Sequence, residues 1–330
     1  TQTCLALVSV ALAVSTATGV VSVPLLYALT AIGAGFGALD QPARSALAPS
    51  LVERRQIPAA MALNQMVWRI GSVVGPAAGG VIIAAFGLAF AYWVDVGTFL
   101  VAILALALMR LPRHIPALEH PHVLRSLQEG WSFLLARPLI FAPMGLDFAV
   151  NLFGTTRALM PYFADQVFHV GPQGLGLLYA APGIGATVLL LTSGWTSAVQ
   201  RKGLGILIAI GVYGVANLAF AFVPSSMFLL ACALLALAEG GDSASVIFRH
   251  TVLQMETPDA LRGRLSSINS LFVAGGPQLG QVESGFVADV LTPEISVAIG
   301  GMACVGLVVA TAAAVPQLSR YRTDASVTPA

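Results

Sequence analysis

The chain has 330 residues, 57% of them hydrophobic and only 9% charged, with 16 basic against 15 acidic side chains and a net charge of +1. A water-soluble domain carries roughly a quarter charged residues, so this composition excludes an ordinary soluble enzyme or binding domain and places the chain in lipid. The balance of +1 gives no reason to expect a nucleic-acid partner; the information lies in where the charges sit.

A helix needs about 20 residues to cross a bilayer. Apolar runs of that order, cut by Pro, Gly and charge clusters, predict ten spans at 3–20, 23–41, 59–86, 90–110, 138–160, 173–195, 204–222, 226–248, 264–290 and 294–315. The runs lack the period-two alternation of a membrane barrel, so an all-α membrane protein is expected. Span one has no basic leader region and no small-residue cleavage site, which argues against a signal peptide. Arg54 and Arg55, Arg110 and Arg113, Arg125 and Arg137, Arg201 and Lys202, Arg262 and Arg264, and Arg320 and Arg322 fall at alternate junctions. Those junctions are read as cytoplasmic. The opposite connections, near Gly19, Gly87, Val223 and Thr292, carry no Lys or Arg, and Arg157 is the one departure.

An internal repeat runs through the spans at an offset of 205 positions, pairing Arg44 with Arg249, Asn64 with Asn269, Gly71 with Gly276, Gly75 with Gly280 and Gly80 with Gly285. Long-range repeats of this kind mark transporters built from two like bundles. The offset matches spans one to four with spans seven to ten. The counterparts of spans five and six would precede Thr1, so the repeat predicts a parent of twelve helices in two sixes, with two of them upstream. The expected domains are a partial N-terminal bundle at 1–110, a cytoplasmic linker at 111–137, a C-terminal six-helix bundle at 138–316 and a cytoplasmic tail at 317–330. In the linker, Leu124, Leu127, Trp131 and Leu134 recur at helical spacing, with Arg125, Gln128 and Glu129 between them. Either a helix lying on the membrane surface or a linker helix with a buried face fits that pattern.

Span three contains the run Arg69-Ile-Gly71-Ser-Val-Val-Gly75-Pro76-Ala-Ala-Gly79-Gly80. Small residues three and four apart let helices approach closely, and a proline inside a helix bends it. This run resembles the antiporter motif of drug and proton exchangers of the major facilitator superfamily. Asp40-Gln-Pro-Ala-Arg44, Pro49-Ser-Leu-Val52, Ala62-Leu-Asn64, Glu129-Gly-Trp-Ser-Phe133 and Leu261-Arg-Gly-Arg264 are similar to the enterobactin-exporter-like branch of that superfamily, and the resemblance covers nearly the whole chain. The acidic residue of the family's loop signature is absent from its echo here, Gly194-Trp-Thr-Ser-Ala-Val-Gln-Arg201-Lys202, which puts in doubt the charge latch usually assigned to this loop.

The resemblance implies two pseudo-symmetric bundles in which spans five and eight line a central cavity. On those spans Asp147 and Asn151 are four apart, and Glu239 and Asp242 three apart, so each pair shares a helix face. They are the candidate substrate-binding or proton-binding residues, together with Glu283 beside Gly280 and Gly285 in span nine, and Arg69. A charge at mid-membrane costs about 2.5–3.5 kcal/mol even on lenient scales, so Arg69 must face protein or water, with Asp95 the visible carboxylate of that half. Gly71, Gly75, Pro76, Gly79 and Gly80 are the candidate gating residues. Arg44 and Arg249 are read as structural cations at matched helix ends. Tyr27, Phe36, Phe148 and Phe153 would suit a greasy solute.

Cys4, Cys232 and Cys304 each sit within an apolar run and read as packing residues. His120 and His122 in the linker and His169 in an outer loop lack a third ligand nearby, so no metal is expected. Nor is a cofactor, since no phosphate-binding loop or hydrolase constellation occurs. The function expected is a secondary active, proton-coupled exporter of amphipathic small molecules of the drug or siderophore class, not an enzyme. It is expected as a monomer, multi-pass in the plasma (bacterial inner) membrane. A proton-coupled importer and a truncated, non-transporting membrane protein remain open as alternatives.

Overall fold

A computed structural model describes residues 1–50, 52, 54–109, 131–135 and 137–322, excluding the side chains of 41–50 and 54 and of scattered positions within 58–69 and 259–264. Arg44 and Arg69 therefore belong to described helices, while their side chains lie outside the described residues.

Ten helices among the described residues carry the predicted spans: α1 Gln2–Ala17, α2 Val23–Ser50, α3 Ile57–Phe86, α4 Leu88–Leu108, α5 Pro138–Gly154, α6 Gly171–Leu191, α7 Lys202–Phe220, α8 Phe228–Glu256, α9 Asp259–Val290 and α10 Pro293–Ala314. Seven candidate spans are long and apolar enough to cross a membrane, and α1 and the Ile70–Phe86 part of α3 are shorter apolar helices. The exception is α9, whose Ser266, Ser267, Asn269, Ser270, Gln278, Gln281, Glu283 and Ser284 dilute its hydropathy. Side chains such as Leu191, Leu229, Tyr27 and Phe222 are more than two thirds exposed, a surface that lipid solvates and water does not.

The helix ends follow local chemistry. Pro258 forces Thr257 into an extended conformation (φ −100°, ψ 121°), which stops α8 at Glu256. At the start of α10 the Thr292 side chain accepts from the Ile295 N–H at 3.3 Å, with Pro293 in the first turn and Glu294 at the positive end of the helix dipole. Its repeat counterpart, Gly87, joins α3 to α4 through a positive φ of 84°. The offset of 205 is preserved in the helices, since α2 and α8 start at residues 23 and 228, and α4 and α10 at 88 and 293. Both α2 and α8 run well past the predicted span ends, at 41 and 248.

The chain divides into two compact units, Thr1–Leu118 with Gly171–Gly176, and Glu119–Val170 with Leu177–Ala330. In the first, α1 packs against α2 and α4, and α3 against α4. In the second, α7 packs against α8 and α10, while α5 packs against α9 and α10. The second unit's core joins Leu146 and Val150 of α5, Ile206 and Ile210 of α7, Phe248 and Val252 of α8, and Cys304 of α10. The short helix Pro316–Arg320 closes it: Leu318 is fully buried, and Tyr321 donates to Glu256 Oε1 at 2.9 Å. Burial and that hydrogen bond push the Tyr321 phenol up to about 12, so it stays a donor at physiological pH.

Of the predicted linker helix, residues 131–135 are described and helical. Leu134 is fully buried in a cluster with Ile140, Met144, Leu265 and Ile268, and Trp131 meets Phe272 edge-on at 6.0 Å. This part of the linker thus takes the buried-face alternative; the remainder of the amphipathic stretch lies outside the described residues.

Candidate functional site

The second unit brings together three of the predicted polar residues. Asp147, two turns into α5, forms a buried ion pair through Oδ1 with Nη1 of Arg249 on α8, and both side chains are almost fully enclosed. Asn151, one turn further along α5, donates from Nδ2 to the Asp147 carbonyl at 3.0 Å and to its carboxylate at 3.3 Å. Arg249 Nε and Ser245 Oγ, one turn apart on α8, are buried without a hydrogen-bond partner among the described residues. His250 lies within electrostatic range of both charges. Desolvating two ions is repaid only by close pairing, so the site holds a bound charge pair beside unused polar capacity.

Arg249 was expected at a helix end. Because α8 continues to Glu256, Arg249 stands about two turns before the terminus, out of reach of the last-turn dipole effect, and meets Asp147. Glu239 and Asp242 lie further back on α8, half-buried, within electrostatic range of the Tyr213 hydroxyl on α7. That hydroxyl donates to the Gly154 carbonyl at 2.8 Å, tying α7 to the end of α5. Sequence reasoning passed over Tyr213, Ser245 and His250. The spacing of Asp242, Ser245 and Arg249, three and then four apart on one helix face, was the available signal.

The far side of α5 is held by α9. A Cβ on Gly276 would sit 3.1 Å from Asn151 Cβ, and one on Gly280 would collide with the Asn151 and Leu152 carbonyl oxygens. Phe148 packs on Phe272 with ring centroids 5.4 Å apart, and Phe153 also belongs to α5. Glu283 is half-buried on α9 and forms no ion pair among the described residues.

The first-half motif is placed differently. A Cβ on Gly71, Gly75 or Gly79 would meet nothing within 4 Å. Gly80 is buried, and a Cβ there would lie 2.5 Å from the Pro172 carbonyl oxygen and 3.0 Å from Gly176 Cα, residues of the same unit; Gly176 in turn faces the Pro76 carbonyl. Asp95 accepts from Ser9 Oγ at 2.5 Å, linking α4 to α1. Asp40 accepts from Thr1 Oγ1 and Gln2 Nε2, each at 2.8 Å. Tyr27 is three-quarters exposed, and Phe36 is half-buried.

At the junction of α6 and α7, Lys202 is buried, donates from Nζ to the Thr196 carbonyl at 2.5 Å and lies 5.6 Å from the Phe248 ring centroid. Backbone carbonyls and a ring face thus hold the cation at the loop where the acidic residue is absent.

Apolar helices repeated across two units, with charge confined to a few buried positions, define a multi-pass membrane transporter. Residues 1–328 match the family described as transmembrane secretion effector, within the major facilitator superfamily, and the chain belongs to that family. It is similar to the enterobactin exporter EntS of Shigella boydii serotype 18 (strain CDC 3083-94 / BS512), at 32% identity over 295 residues, covering 87% of this chain and 68% of the relative. The enterobactin exporters of Citrobacter koseri (strain ATCC BAA-895 / CDC 4225-83 / SGSC4696) and Escherichia coli O139:H28 (strain E24377A / ETEC) match over the same length and shares, at 32% and 31% identity. The chain is therefore an exporter of the bacterial inner membrane that moves a small-molecule substrate, and not an enzyme.

Proposed function

We propose that the protein is a proton-coupled exporter of amphipathic small molecules of the siderophore or drug class, working by alternating access as a monomer. The observation that carries this reading is the buried Asp147–Arg249 pair with Asn151 beside it. Protonation of Asp147 cancels the carboxylate charge and leaves Arg249 a buried, uncompensated cation, a state that costs several kcal/mol unless another partner arrives. A polar or anionic group of the substrate supplies such a partner, so the Asp147 carboxylate and the substrate compete for one guanidinium, which links the proton on Asp147 to the substrate at Arg249. Glu239 and Asp242 on the same helix are the further proton-binding candidates, with Glu283 and Arg69 behind them. The glycines and Pro76 of α3 are assigned to gating. The siderophore class is favoured because the relatives are named as enterobactin exporters.

The test is efflux from cells carrying the full-length protein, using a catecholate siderophore and a panel of amphipathic dyes, with and without a protonophore. Export that collapses with the protonophore, and is lost in Asp147→Asn when counted per folded protein in the membrane, is the expected result. Protonophore-insensitive export would remove the proton coupling, and full export by both Asp147→Asn and Arg249→Gln would remove the pair from the mechanism.

A further inference from the structure

A cavity of about 590 Å³ lies within the second unit among α6, α7, α8 and the turn Trp195–Ala198. Its walls are apolar. Val188, Ile208 and Leu237 on its rim are more than half exposed, so it opens toward the lipid. Water has no place there, since it needs two to four polar partners. The polar groups cluster at the α6–α7 junction: Thr192, Trp195 and Arg201. Of these, the Thr192 hydroxyl is already spent on the Val188 carbonyl at 2.8 Å.

Arg201 is exposed and forms no ion pair among the described residues. Lys202 stands beside it, with Nζ 5.6 Å from the ring of Phe248, which lines the cavity. No Asp or Glu occurs between Asp165 and Glu239. Two cations thus mark one end of an apolar groove, and the α6–α7 stretch that carries them contains no carboxylate. Trp195, half-exposed and edge-on to Phe248 at 5.9 Å, is the residue type that settles at headgroup level. Along α7 the lining runs from Arg201 to Val212, ~16 Å at 1.5 Å per residue. One leaflet of a hydrocarbon core about 30 Å thick has the same depth.

We propose that this groove is a binding site for an anionic phospholipid of the cytoplasmic leaflet, with one acyl chain between α6, α7 and α8 and the phosphate at Arg201. The length of the groove selects an acyl chain. Arg201, exposed and without an ion pair among the described residues, selects an anionic headgroup over a zwitterionic one, for which the same contact is offset by the headgroup's own positive charge.

The full-length protein in nanodiscs, without substrate, provides the test: phosphatidylglycerol and phosphatidylcholine are offered at equal mole fraction, and bound lipid is counted by native mass spectrometry. Retention of phosphatidylglycerol over phosphatidylcholine by about fivefold is expected from one arginine near an anionic headgroup. Arg201→Gln, an exposed position that leaves the helices intact, abolishes the preference, and Ile208→Trp, which fills the rim, lowers retention of both lipids. Equal retention by the wild-type protein, or an undiminished preference in Arg201→Gln, overturns the proposal. So does displacement of phosphatidylglycerol by an exported dye together with loss of export in Ile208→Trp, because the groove would then be a substrate site. Retention is read without transport, so this proposal and the proton-coupled mechanism fail separately.

Discussion

The helices α3 and α9 carry the same glycines at the same repeat positions and meet opposite surroundings. On α9, Gly276 and Gly280 are the surface against which α5 lies, close enough that a side chain at Gly280 has no room beside the Asn151 and Leu152 carbonyls. On α3, a Cβ at Gly71 or Gly75 would meet nothing within 4 Å. The glycine stripe is thus a licence for close approach and not a contact. Lipid chains are as apolar as leucine, so helices associate in membranes through tight van der Waals packing and polar contacts. A stripe acquires energetic meaning only where a helix lies on it.

The largest effect is expected on the other side of α5, where it meets α8. Removing one partner of a buried ion pair costs about 3–5 kcal/mol. Arg249→Gln and Asp147→Asn should each lower the thermal midpoint of the purified protein sharply, and the double variant should regain part of the loss. Additive single effects would mean that the two charges are not coupled.

Next comes the comparison itself. Gly280→Leu should displace α9 from Asn151 at an overpacking cost of about 1–3 kcal/mol and sharply reduce folded yield, whereas Gly75→Leu at the matched position should leave yield nearly unchanged. Equal damage at the two positions would show that a helix covers the α3 face in the protein tested. A milder version uses alanine. Gly276→Ala asks Asn151 Cβ, 3.1 Å away, to yield by a few tenths of an ångström, while Gly71→Ala meets nothing and should stabilise α3 by up to about 1 kcal/mol from helix propensity. Opposite signs in a melting assay sharpen the contrast, and like signs remove it. An effect of similar, modest size is expected for Tyr213→Phe. Losing the hydroxyl that donates to the Gly154 carbonyl should cost about 0.5–1.5 kcal/mol, seen as faster hydrogen exchange at the end of α5.

Much of this architecture was legible in the chain. Hydropathy located the spans, because an apolar run of bilayer length has few alternatives to a helix in lipid. It did not locate the helix ends. The predicted span 226–248 stops where charges begin, but a helix continues into the interface until its backbone is broken, here before Pro258. Arg249 was read as an end cap for that reason.

By itself the sequence determined the class, the spans and the repeat, all of which follow from local quantities: apolar length, and prolines and glycines at the junctions. The tertiary structure alone decided which buried charges pair. Asp147 and Arg249 lie far apart in the chain, and no spacing rule connects residues on different helices. It also decided which glycines are packed, since a close approach belongs to two helices at once and is written in neither.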